Sequence, residues 1–548
     1  MASVQATGFL DFGREFESYT PMGSRIKALF DDKKYVVENA RALDWPLLRK
    51  YYSARGYSPA WCRKDDHGYS VDLLLGFLRT SYQEGLNPDD YRVTPDVNDC
   101  SLLSAEQQAE FDVTLTNAFF RYSKDVNSGR LDPKYADDEW HIDKAEFDPV
   151  ATLEAALKDN NLQETLANLP PPHREYLALK AELAKYRLIE ADRLWPHIPE
   201  GRTLQPGEIH PLIPLIRRRL ADELNGGLPL YGSNDQLYDN GLRAAVESFQ
   251  RRHGLEVDGI IGHSTYSAMN MTPQQHIRKI ITNMERWRWM PRSLGEKYIM
   301  INLPGFEMNF IKQGQSILSM RTISGSKETS SPSFETKITQ IIFNPTWTVP
   351  NSIAINELVP QQQQDPDFLA KSDIEVLLRD KGNTTYDPRS IDWSQINEKD
   401  FPYMLRQRSG PNNSLGRIKF QTPNKYAIFL HDTPYHSLFG KRIRALSHGC
   451  IRLEKPKRLA AMLLNDNYNP TPETEERVTN LMESKQTVEQ DILAQQQVPV
   501  YIVYITAWVD RNGVLQLRDD IYGRDRKISN SLSGQQFRAN NLVKYSDK

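Results

Sequence analysis

Cysteine is scarce in this 548-residue chain, which holds only Cys62, Cys100 and Cys450, so a disulfide-rich scaffold is excluded. Cys62 and Cys100 lie in one N-terminal region and are either bridged or two separate structural thiols, which leaves Cys450 on its own. No run of about 18 apolar residues occurs, so no segment reads as a membrane-spanning helix. The opening stretch from Met1 to Tyr19 has no basic start followed by an apolar core of about 7–15 residues, so no export signal is legible there. Neither sign of charge dominates. With 68 Lys+Arg against 71 Asp+Glu and a net charge of -3, there is no general electrostatic reason to bind nucleic acid. What the chain does have is apolar material for packed cores, 39% hydrophobic residues with 20 Phe, 25 Tyr and 9 Trp. At roughly one domain per 100–200 residues, its length implies three or four of them.

The periodicity changes along the chain. After an N-terminal extension over residues 1–23, apolar residues recur at helical spacing to about Leu194, and residues 24–204 read as an all-helical scaffold without visible chemistry. Pro170, Pro171 and Pro172 stiffen a connection before a helix over Glu175 to Ile189. Residues 205–272 form a second module, with helices expected over Ile209 to Leu224, Gly241 to His253 and Thr265 to Asn270. Its Arg217-Arg218-Arg219 and Arg251-Arg252 runs read as a solvated helix face. A linker helix over 273–296 carries Trp287 and Trp289 as packing anchors and stops at Pro291. From residue 297 to 525 the pattern turns to strands, among them Tyr298 to Leu303, Ile338 to Phe343, Ala427 to Leu430 and Val498 to Ile505. A polar, helix-like stretch over 354–407 interrupts them and reads as a capping insertion, or lid. Residues 526–548 are a tail. The fold class is multidomain α+β.

The chemistry concentrates in one segment, which runs from His431 through Asp432, Thr433 and Pro434 to Ser447-His448-Gly449-Cys450-Ile451-Arg452. A thiol becomes a strong nucleophile once ionised, and an imidazole can take its proton or hold it as an ion pair. Gly449 permits an unusual backbone angle, so the amides around Cys450 can face a developing oxyanion. His431 ends an apolar run, where a sheet can aim it. A helix expected over Pro456 to Leu464 places the thiol just ahead of a helix N-terminus, which favours the thiolate. The bland readings are a buried structural thiol and a core histidine. A zinc site from His431, His436, His448 and Cys450 is the metal alternative, but one thiol and no compact Cys/His spacing speak against it.

Fifteen residues separate His431 from Ser447, and the segment resembles the catalytic motif of YkuD-type L,D-transpeptidases, a histidine followed at such a distance by Ser/Thr-His-Gly-Cys. Asn344-Pro345-Thr346-Trp347, Arg406-Gln407 and Gly410 to Phe420 resemble other stretches of that family. Ala245-Val246, Phe249-Gln250, Asp258-Gly259, Gly262 and Thr265 resemble the three-helix peptidoglycan-binding domain. The likeness is greatest to the large periplasmic Gram-negative members, which join a helical scaffold, a peptidoglycan-binding domain and a β-rich catalytic domain with a mainly helical capping insertion. It implies Cys450 as nucleophile and His431 as general base, with His448, Gly449 and Ser447 shaping the oxyanion site. Arg452, Trp347, Phe429 and Asn424 are the implied substrate-binding residues. Arg452 stands where many relatives have Asn and suits an anionic donor, whereas Phe429 lacks the hydroxyl of the Tyr in close relatives. The implied partners are peptidoglycan tetrapeptide stems as donor and acceptor, carbapenem- and penem-class β-lactams as inhibitors, and other cell-wall synthases. No nucleic acid, metal or organic cofactor is expected, and the implied location is the periplasm, with the export signal removed. Three other readings stay open: a carboxypeptidase or endopeptidase that uses water as acceptor, a non-catalytic wall-binding adaptor, and a structural zinc protein.

Overall fold

In the computed structural model the described residues are 20–39, 42–62, 69–192, 195–223, 234–378, 384–396, 401–465 and 467–534. Most of the N-terminal extension and of the tail lies outside them. The chain divides into two compact units, one formed by residues up to 130 together with 146–172, the other by 131–145 together with 173–548.

The first unit is helical and centres on the 24-residue helix Ala105–Ser128, which starts at a reciprocal Ser104/Gln107 capping box. Trp45–Ala54, Tyr69–Arg79 and Pro149–Lys158 contribute to the apolar core around it. Asp112 is buried there with its carboxylate accepting from the Ala60, Trp61 and Cys62 amides and the Tyr52 hydroxyl, which offsets the cost of burying the charge. Cys62 and Cys100 are disulfide-bonded with Cα atoms 5.5 Å apart, leaving Cys450 as the free thiol.

The second unit contains a long curled sheet. Its order is Trp140–His141, Ser333–Ile338, Val498–Val503, Lys297–Asn302, Glu307–Lys312, Gln315–Gly325, Ile451–Leu453, Leu430–His431, Ile418–Gln421, Gln340–Phe343 and Val488–Asp491. The first of these strands corrects the expectation of an all-helical scaffold. Trp140–His141 pairs in parallel with Ser333–Phe334, and a two-residue strand is too short to show alternation. The apolar face of the sheet packs under the helices Pro456–Leu463 and Pro472–Glu483.

The helices Ile213–Glu223, Asn240–Arg252 and His263–Met269 enclose a small core of their own. The first starts later than its pattern suggests, because Ile209 bridges Leu237 instead. The arginine-rich faces are a second correction. Arg217, Arg219 and Arg252 are buried, at 2%, 0% and 5% exposure, because Asp239 draws in Arg217 and Glu223 draws in the other two at 2.8 and 2.7 Å; Arg219 also lies 3.4 Å from the Trp195 ring centroid. The helix Pro273–Trp289 is buried nearly all round its C-terminal half, with Trp287 and Trp289 in the core as expected and Glu285 paired to Arg288 at 2.9 Å.

The capping insertion is only partly helical. Asn351–Ile353, Val359–Gln364 and Phe368–Lys371 are α-helical, with a π-turn over Ala354–Leu358, but a four-stranded sheet of Trp347–Thr348, Tyr403–Gln407, Ile374–Leu378 and Thr385–Tyr386 lies against them. Two of those strands have two residues each, so helical spacing dominated the sequence pattern. Trp347 is half-buried against the insertion's own core, as a packing residue.

His253 and His276 are fully enclosed beside Glu223, and burial pushes them down to about 3 and about 4. An unfolded imidazole takes its proton near pH 6.5 while the folded one refuses it, so the unfolded state binds more protons as pH falls. Stability is therefore complete above about pH 6.5 and declines below it by about 1.4 kcal/mol per pH unit for each imidazole. Urea unfolding midpoints at pH 7.5 and 5.0 should show that loss, and the double variant His253→Gln, His276→Gln should reduce it, with buried His431 keeping a share.

Candidate active site

Two short parallel strands set the site. Leu430 pairs with Ile451 and His431 with Arg452, while on the other side Lys419 pairs with His431. Side chains alternate between faces along a strand. Leu430, Ile451, Ile418 and Phe420 go into the apolar core, so Lys419, His431 and Arg452 share the opposite face. Cys450 is two residues from Arg452, and Phe429 two from His431, so both have the parity of that face. The Ile451 amide donates to the Phe429 carbonyl at 3.1 Å, which fixes the offset between Cys450 and His431.

The turn that carries Cys450 is tied at every residue. Ser447 Oγ donates to the Cys450 carbonyl at 2.6 Å and accepts from the Gly449 amide at 3.2 Å. Gly449 has φ +107°, and a Cβ there would meet Ile428 Cδ1 at 3.1 Å, so glycine answers both a backbone and a packing constraint. Ser331 Oγ donates to the Gly449 carbonyl at 2.6 Å and accepts from Gly325, while the Ser326 amide and Thr329 hydroxyl both donate to the Ser447 carbonyl. A Cβ on Gly325 would fall 2.1 Å from the Thr329 carbonyl oxygen, so this second loop needs a glycine as well. With the Gly449 amide engaged by Ser447, the Cys450 amide is the donor left to face an oxyanion.

His431 is buried, and its Nδ1 lies 2.5 Å from the Asp432 carbonyl oxygen. Nδ1 therefore carries the proton and Nε2 keeps its lone pair. Burial, with the Arg452 and Lys419 charges in addition, pushes His431 down to about 3. Burial also raises the Cys450 thiol above its ordinary 9.0, although a backbone hydrogen bond at Phe429 and the Lys419 and Arg452 charges act against it. The resting pair is thus neutral thiol and neutral imidazole. This corrects the expected thiolate at a helix N-terminus: the strand Ile451–Leu453 intervenes before the helix Pro456–Leu463, so Cys450 is beyond the reach of the helix dipole, which fades within a turn.

Other expected site residues are engaged elsewhere. Asn424 Oδ1 accepts from the Tyr426 and Ile428 amides, and its Nδ2 donates to the Thr422 and Ile428 carbonyls, so its amide shapes the turn and is not free for substrate. Only Leu430–His431 of the expected Ala427 strand joins the ladder, because Ala427 has φ +55°. His448 points to the insertion, its Nε2 2.5 Å from Glu357 Oε1. His436 lies 3.7 Å from Asp432. Of the four zinc candidates, His431 and His436 thus both turn to Asp432, and His448 turns to Glu357. Phe429 sits beside His431, ring centroids 5.7 Å apart, and under Lys419 Nζ at 4.2 Å. Lys419, Ser331 and Glu357 were not singled out from sequence. Only Lys419 left a signal, its alternation with Ile418 and Phe420 in Arg417-Ile418-Lys419-Phe420.

Alkylation of Cys450 by iodoacetamide should climb about tenfold per pH unit between pH 7 and 9, and a plateau reached below pH 7 would contradict a neutral resting pair. Gly449→Ala should lose about 1–3 kcal/mol from the strained backbone alone, measured by chemical denaturation, along with most thiol reactivity.

Comparison with known proteins agrees with this geometry. Residues 296–502 match the family model "L,D-transpeptidase catalytic domain", 211–269 match "Putative peptidoglycan binding domain", and 46–183 match "Scaffold domain". A "Putative L,D-transpeptidase" of Haemophilus influenzae is 35% identical over 252 residues, covering 46% of this chain and 49% of the relative; the chain thus spans about half the length of that protein. Solved L,D-transpeptidases from Xylanimonas cellulosilytica (14% identity, 56% of this chain and 99% of that one, TM-score 0.16) and Stackebrandtia nassauensis (12%, 55% and 94%, TM-score 0.20) are much more distant and add nothing to the assignment. Residues 296–502, which carry both Cys450 and His431, belong to the YkuD family of L,D-transpeptidase catalytic domains, and they follow a scaffold domain and a peptidoglycan-binding domain.

Proposed function

We propose that this chain is a periplasmic peptidoglycan L,D-transpeptidase that forms 3-3 cross-links through a Cys450 thioester. The observation that carries the reading is the placement of Cys450 immediately before the strand Ile451–Leu453, which pairs in parallel with the His431 strand, at the end of a turn tied by Ser447, Gly449 and Ser331, inside the residues matched by the catalytic domain. Cys450 Sγ attacks the carbonyl at the L-centre of a diaminopimelate in a tetrapeptide stem, and His431 Nε2 takes the thiol proton as the C–S bond forms. The oxyanion is met by the Cys450 amide. Collapse expels the terminal D-alanine, whose amine receives the proton from His431, and leaves the thioester. The side-chain amine of a second stem then attacks, His431 takes its proton, and the thiol returns. The peptidoglycan-binding domain keeps the chain on its polymer, and β-lactams of the carbapenem class acylate Cys450 by the same first step.

Intact mass after exposure to a carbapenem tests this. The native protein should gain one equivalent, Cys450→Ala none, and His431→Ala should react about a hundredfold more slowly. Purified tetrapeptide stems should then yield 3-3 dimers. An adduct indifferent to Cys450 removes the assignment, and tripeptide without dimer makes water the acceptor.

A further inference from the structure

Two cations stand beside the Cys450 thiol without an anion. Lys419 and Arg452 flank His431 in a single row across three strands, one registered with His431 on each side. Arg452 Nε is buried and has no hydrogen-bond partner among the described residues. Among the described residues no carboxylate forms an ion pair with either side chain. Lys419 Nζ is held over the face of Phe429, 4.2 Å from the ring centroid, a cation–π contact that positions the ammonium and leaves its N–H groups free. The nearest acid in the row is Glu489, one strand beyond Ile342, and it acts on Lys419 through space without pairing. Charges on fixed strands in a half-buried face are screened less than on an open surface, and an unpaired buried guanidinium nitrogen is costly. Such an arrangement favours an arriving anion, and the flat acceptor that satisfies both a guanidinium edge and an ammonium is a carboxylate.

We propose that Lys419 is a specificity-determining residue, which together with Arg452 forms a paired-cation subsite that receives a carboxylate of the acyl donor beside Cys450. The donor's identity rests on the acyl-transfer reading above; the anion subsite does not. The subsite selects donors whose carboxylate lies close to the reacting carbonyl and discriminates against the same donor with that group amidated, because the neutral amide leaves both cations unpaired. His431 stays neutral between them and so does not compete for the anion.

The test uses iodoacetate and iodoacetamide on the full chain, followed by intact mass and peptide mapping of Cys450. Both reagents form the same S–C bond with loss of iodide and differ only in carboxylate against amide. Their rate ratio at one pH therefore cancels the thiolate fraction and reads the attraction for a carboxylate. The ratio should fall about tenfold in Lys419→Gln and Lys419→Met and be largely kept in Lys419→Arg. In the native protein, which needs no variant to fold, it should drop as ionic strength rises from about 0.02 to 0.5 M. A ratio unchanged in Lys419→Gln, or a native ratio indifferent to salt, overturns the proposal. If the ratio behaves as stated while a carbapenem leaves Cys450 unmodified, the subsite stands and the acyl-transfer reading fails.

Discussion

The site depends on the parallel pairing of Leu430–His431 with Ile451–Leu453. Side chains alternate along a strand, so a pairing shifted by one residue would send His431 and Arg452 into the apolar core and bring Leu430 and Ile451 out to solvent. The core formed by Leu430, Ile451, Ile418 and Phe420 therefore holds the chemistry in register as well as stabilising the domain. The same packing accounts for the electrostatics. A sheet that seats His431 firmly also removes it from water, and this keeps the imidazole neutral and free to accept a proton.

Burial has opposite consequences in two places. Around Glu223 the packing encloses two imidazoles and two guanidiniums, and the carboxylate compensates for the charge. Around Cys450 the packing leaves two cations uncompensated and one Arg452 nitrogen unpaired. Unpaired buried nitrogens occur in both places, and what sets the Cys450 face apart is that, among the described residues, no carboxylate is paired with either of its two cations.

Much of this was legible in the sequence. The spacing of His431 and Ser447-His448-Gly449-Cys450 marks chemistry because few structural needs call for that set of residues, and the helices of the smaller module follow from spacing and turn residues. The rest depends on partners distant in sequence. Arg217, Arg219 and Arg252 look solvated until Asp239 and Glu223 are brought to them. The Trp140–His141 strand exists only because Ser333 and Phe334 offer an edge. Lys419 gains significance only when the register sets it opposite His431. Asn424 was misread because an amide near a catalytic loop can equally well serve the loop's own backbone. The insertion reads as mainly helical in the sequence because two of the four strands of its sheet have only two residues and show no period of two.

The helix Pro273–Trp289 does more than link. At its start His276 stacks on Tyr186 beside the Glu223 network, with ring centroids 4.7 Å apart, and further along Asn283 exchanges two hydrogen bonds with Thr506, both 2.9 Å. The small three-helix module and the β-rich domain are thus clamped to one rod and are not joined by a loose string. A flexible tether raises local concentration and lets its cargo search a volume. A clamped rod works instead as a caliper, so a polymer strand gripped by the module would meet Cys450 at a set reach.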